Sequence, residues 1–76
     1  GLVLVQIDAR GLWCPEPIML LHRAVGDLGA GQEVSLLTTD PAALRDVPKF
    51  CRFLGFNLAS QVERGDHIEF VIRIDG

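Results

Sequence analysis

The chain has no tyrosine, one tryptophan, one methionine and two cysteines in 76 residues, and each scarcity narrows what it can be. Two cysteines cannot form the disulfide framework of a small secreted domain, and the 36 residues between Cys14 and Cys51 match neither zinc-ligand nor thioredoxin spacing. With two histidines and no ligand pattern, no metal or cofactor is expected. Positive charge is scarce too. Seven Lys and Arg against ten Asp and Glu give a net charge of −3, which argues against direct nucleic-acid binding through phosphate neutralisation. No long apolar run exists either. Leu2-Val3-Leu4-Val5 is too short for a membrane span or a signal core, and no basic segment precedes it. A reducing, cytoplasmic setting without membrane contact is the expectation. The opening Gly1, where a methionine would stand, suggests a trimmed start.

What is present is an ordinary globular composition, 49% hydrophobic and 22% charged, sized for one domain over residues 1–76. Residues 2–7 (LVLVQI) predict a first strand, ended by Asp8-Ala9-Arg10-Gly11. From Pro15 onward, Ile18, Leu21, Val25 and Leu28 recur at helical spacing until Gly29 and Gly31. Residues 33–38 (EVSLLT) predict a second strand, and Asp40-Pro41 opens a second helix with an N-cap and a proline in the first position. Pro48 should break that helix near Asp46-Val47, because an interior proline removes a backbone bond and clashes with the preceding turn. Leu44, Val47, Cys51 and Leu54 carry an apolar stripe across the break, widened by Phe50 and Phe53, and Gly55 ends it. Residues 57–63 and 67–74 read as a hairpin around Arg64-Gly65-Asp66, with Ile68, Phe70, Ile72 and Ile74 inward. The order βαβαββ predicts a two-layer α/β sandwich: one four-stranded mixed sheet with both helices on one face.

The chemistry centres on Gly11-Leu12-Trp13-Cys14-Pro15-Glu16-Pro17. This outline puts Cys14 at the N-cap of the first helix, with Pro15, Glu16 and Pro17 in its first turn. The amides of Glu16 and Ile18 would face the sulfur and the helix dipole would favour a thiolate, which Glu16 opposes. A resolving thiol is missing, since Pro17 holds that place, and His22 and His67 have no sequence reason to reach Cys14 as a base. A thiol that accepts a group and passes it on is what remains, beside the plainer reading of Cys14 as a small apolar filler. Cys51, on its apolar stripe, reads as core.

Asp8-Ala9-Arg10-Gly11-Leu12-Trp13-Cys14-Pro15-Glu16-Pro17 resembles the CPxP signature of the TusA (SirA-like) sulfur-carrier family. Thr39-Asp40-Pro41-Ala42, Arg45-Asp46-Val47-Pro48 and Phe50-Cys51 resemble its second block, so the likeness covers nearly the whole chain. The resemblance implies that Cys14 carries sulfane sulfur as a persulfide, received from a cysteine desulfurase of the IscS type. It implies delivery to a TusBCD-like or other acceptor, toward tRNA 2-thiouridine or another sulfur pathway. Trp13, Pro15, Glu16 and Pro17 would flank the sulfur. Asp40, Arg45 and Lys49 would form a polar docking patch, or else Asp40 is only a cap and Arg45 pairs with a nearby acid. Arg10 either offsets Glu16 near the sulfur or is solvated. One departure is Trp13, where TusA carries a basic residue; its indole is either an exposed partner contact or core. The rival functions are a binding module with a structural Cys14 and a redox sensor joining Cys14 to Cys51.

Overall fold

A computed structural model describes residues 4–74. Six elements follow in the order β1 (Leu4–Ala9), α1 (Glu16–Val25), β2 (Glu33–Thr38), α2 (Ala43–Leu54), β3 (Asn57–Glu63) and β4 (Ile68–Arg73). Residues 2 and 3 of the expected first strand lie outside the described residues. The strands form one sheet in the order β1-β2-β4-β3, with β1 parallel to β2 and β4 antiparallel to both its neighbours. Among the described residues no helix is long and apolar enough to cross a membrane.

Register explains the layering. Val5, Val34 and Ile72 align across the strands, as do Ile7, Leu36 and Phe70, and Ala9, Thr38 and Ile68. These rows share one face, because side chains alternate along each strand. Leu21 of α1 and Ala43, Val47 and Cys51 of α2 join the same buried cluster, so both helices cover that face. The other face carries Gln6, Asp8, Glu69 and Arg73, with Ser35 buried where its hydroxyl donates to Glu69 at 3.0 Å. β3 is an exposed edge strand with a register shift between Leu58 and Ser60, a bulge of the kind that discourages further pairing.

Three expectations about the helices are corrected. α1 ends at Val25, with Gly26 as its C-cap, three residues before Leu28. Leu28 instead closes a turn, its amide donating to the Val25 carbonyl at 3.2 Å. α2 does not break: Pro48 sits inside a continuous helix. The proline forfeits one bond, but Ala43 and Val47 before it and Cys51 after it are buried on the same sheet, and this packing holds both halves on one axis. Phe53 does not widen the buried stripe and is 88% exposed. It lies about 200° around the helix from Cys51, given about 100° per residue. Gly55 ends α2 as expected, its left-handed φ of 77° letting the Phe56 amide close on the Cys51 carbonyl at 2.8 Å.

Candidate functional site

The parallel pairing of β1 and β2 brings two loops together at the carboxyl ends of neighbouring strands, where Ala9 faces Thr38. Gly11, at a φ of +84° that favours glycine, donates its amide to Thr39 Oγ1 at 2.8 Å. The Cys14 amide donates to Asp40 Oδ2 at 2.7 Å. Asp40 is 5% exposed, and its other oxygen accepts the Ala42 amide at 3.0 Å while its own amide donates to Thr38 Oγ1 at 3.1 Å. This revises two expectations. Asp40 is not the N-cap of α2, which starts at Ala43; it makes an Asx turn just ahead of the helix. Nor is it an exposed docking charge, since its carboxylate is turned inward onto the backbone of the Cys14 loop.

Cys14 also sits differently from the expected N-cap. The Glu16 amide donates to the Trp13 carbonyl at 2.9 Å, making a turn over Trp13–Glu16, and the Pro15 carbonyl accepts the first helical bond, from Met19 at 3.0 Å. Pro15 is therefore the N-cap, with no side-chain cap, and Cys14 precedes it. The Glu16 amide has been taken by the turn and does not face the sulfur. The thiol donates instead to Asp46 Oδ2 at 3.4 Å, across from the first turn of α2. Arg45 Nε donates to the other oxygen of the same carboxylate at 3.1 Å.

These contacts reverse the expected electrostatics. The hydrogen bond to Asp46, partial desolvation and the nearby negative charges of Asp46 and Asp40 push the Cys14 thiol pKa up, and Arg45 only partly opposes them. Asp46 is held below the ordinary carboxylate range, first by Arg45 and also by the Cys14 bond. At neutral pH the free protein thus presents an exposed, protonated thiol bonded to an ionised carboxylate.

Around it, Cys14, Pro15, Ile18, Asp46, Lys49, Phe50 and Phe53 line a shallow, mostly apolar depression of about 330 Å³. Pro17 is buried at the root of α1, whereas Glu16 lies on the far side with Leu12, Met19 and Arg23. Trp13 is 65% exposed, which resolves its two readings in favour of the surface. Arg45 pairs with Asp46, and Lys49 is exposed at the rim. Arg10 is solvent-exposed, as in one of its two readings, and there forms an ion pair with Asp8 at 2.8 Å instead of offsetting Glu16. His22 meets Phe50 edge-on, with ring centroids 6.1 Å apart, and His67 bonds Asp66 at 2.7 Å; neither hydrogen-bonds Cys14. Cys51 is 2% exposed, in the core as read. Asp46, Thr39 and the Phe50–Phe53 rim were missed as site residues. Their only local signal was an acid in a first helical turn and aromatics beside a cationic face.

The family model described as "Sulfurtransferase TusA" matches residues 5–74. The chain is 49% identical over 67 residues to the sulfur carrier protein TusA of Pseudomonas syringae pv. syringae (strain B728a), covering 87% of this chain and 80% of that one. It is 48% identical over 67 residues to that of Pseudomonas aeruginosa (strain LESB58), covering 88% and 85%. A crystal structure of a SirA-like protein from Desulfitobacterium hafniense superposes with a TM-score of 0.83 at 25% identity, over 97% of this chain and all of that one. Sequence and fold agree, and the chain belongs to the TusA family.

Proposed function

We propose that the protein is a single-domain sulfur carrier in which Cys14 holds sulfane sulfur as a persulfide between a donor and an acceptor. The observation that carries this reading is an exposed thiol on a pinned backbone: the Cys14 amide is fixed to buried Asp40 while the sulfur lies exposed at the edge of an apolar depression. The relatives named sulfur carriers support it. A cysteine desulfurase is the donor that supplies the required persulfide. The acceptor belongs to tRNA 2-thiouridine synthesis or another sulfur pathway.

Transfer is thiol exchange. Cys14 sulfur attacks the outer sulfur of the donor persulfide, a new S–S bond forms on Cys14, and the donor S–S bond breaks. The donor cysteine leaves as a thiolate and takes up the proton that Cys14 gives up, so the pair undergoes no net oxidation. Delivery repeats the exchange with an acceptor thiol attacking the outer sulfur. Trp13, Phe53 and the apolar walls offer a hydrophobic contact to a docked partner, and Arg45 and Lys49 offer positive charge at its rim. A structural role for Cys14 finds no support in its exposure.

The test is intact mass after incubation with a cysteine desulfurase, cysteine and pyridoxal phosphate, with Cys14→Ser and Cys51→Ser alongside. A reducible gain of one sulfur atom that needs Cys14 and not Cys51 is expected. No gain in the unaltered protein refutes donor-dependent loading.

A further inference from the structure

Asp46 is the side chain that hydrogen-bonds the Cys14 sulfur, and the contact is held from both ends. On one end, Arg45 Nε grips the second oxygen of the carboxylate, whose side chain is 21% exposed. On the other, the Cys14 backbone is fixed by Asp40, so the sulfur stays within reach of Asp46. The geometry points to Asp46 as a positioning residue that holds the empty carrier's Cys14 as a neutral, oriented thiol and lets the sulfur go once it becomes anionic. The loaded half of this statement rests on the carrier reading above; the thiol half does not.

The chemistry is that of a carboxylate facing sulfur. An ionised carboxylate accepts a hydrogen bond from S–H but repels a sulfur anion. Asp46 is no base here, because Arg45 keeps its carboxyl acidic, so the proton lost on loading goes to the departing donor thiolate. A persulfide ionises more readily than a thiol, and its anion offers Asp46 no hydrogen. Other charged groups near the sulfur are Asp40 and Arg45, then Lys49 on the depression's rim, while Glu16, two residues along the chain, faces the other side with Leu12, Met19 and Arg23. Repelled by the Asp46 carboxylate, an anionic outer sulfur is turned out toward solvent, the Lys49 side of the depression and a docked partner. The empty carrier is correspondingly slow toward stray electrophiles.

Alkylation of Cys14 by iodoacetamide across pH, read by peptide mapping of the folded protein, tests this without any partner. In Asp46→Asn the midpoint of the rate profile should fall by about one pH unit, which makes alkylation about tenfold faster at neutral pH. Arg45→Ala, which strips the cation from both Asp46 and the thiol, should move the midpoint the other way. Opposite shifts from adjacent residues are not what loosened packing produces, and a thermal melt of each variant confirms that it is folded. An unmoved midpoint in folded Asp46→Asn overturns the proposal. If that variant does not fold, the absence of an upward shift in Arg45→Ala overturns it. Absence of sulfur loading in the unaltered protein refutes the carrier reading alone, since the alkylation profile stands or falls independently.

Discussion

Cys14 and Cys51 are the same side chain in two settings, and both thiols are held above their ordinary pKa for different reasons. At Cys14 the leading cause is a hydrogen bond to an ionised carboxylate on an open surface; at Cys51 it is burial alone. The first kind of restraint is removable, because a partner that approaches the surface can displace or neutralise Asp46. The second is lifted only by unfolding. Reactivity in this fold therefore follows from what touches the sulfur and how easily that contact is undone, more than from the thiol itself.

The largest expected effect separates the two sites outright. Cys14→Ser should abolish iodoacetamide labelling of the folded protein while Cys51 stays unlabelled until denaturant is added; substantial native labelling of Cys51 would erase the distinction. Next is the support beneath Cys14. Asp40→Ala removes two charge-assisted bonds to backbone amides and should cost about 2–4 kcal/mol in a urea melt, and an unchanged midpoint would show that the loop is held by something else. Cys51→Ser places a hydroxyl in the dry stripe of α2 and should cost about 1–3 kcal/mol, with the labelling rate of Cys14 unaffected.

Alkaline pH should sharpen the contrast further. Each thiol's folded pKa lies above its unfolded value, so each contributes stability that is complete below the unfolded pKa and is lost as pH rises through the folded one. Melts run upward from pH about 8.5, the unfolded thiol value, should therefore show declining stability, less steeply in Cys51→Ala. The smallest effect lies at the exposed Asp8–Arg10 pair. Asp8's carboxyl is lowered to about 2, chiefly by its hydrogen bond to the Arg10 side chain, so its contribution is present above the ordinary carboxylate range and lost as pH falls toward that value. Arg10→Ala should return the Asp8 titration, followed by NMR, toward the ordinary range and leave both thiols unchanged.

Much of the fold was legible because its signals are local. The strands at 33–38 and 57–63 have the predicted bounds, and the inward row Ile68, Phe70, Ile72 and Ile74 follows from period-two alternation. Gly55 stops α2 as a left-handed cap should. The misreadings at Pro48 and Asp40 share a cause, a local rule overruled by a contact from elsewhere in the chain, whereas those at Cys14 and Leu28 come from local turns. Pro48 stays inside a helix because the sheet holds residues on both sides of it. Cys14 is displaced from the N-cap by a turn that claims the Glu16 amide. Asp40, read as a cap and a docking charge, reaches back 26 residues to the Cys14 amide.

By itself the sequence determined the order of elements, the two amphipathic helices, Cys51 in the core and Cys14 as the reactive candidate, because periodicity and turn chemistry act within a few residues. Only the tertiary structure decided the surroundings of that sulfur. Asp46 lies 32 residues from Cys14 in the chain and meets it because β1 and β2 run parallel, delivering the Cys14 loop and the start of α2 to the same end of the sheet. An acid at hydrogen-bond distance outweighs the expected pull of a helix terminus because its full charge touches the sulfur while the dipole offers partial charge and no amide in contact.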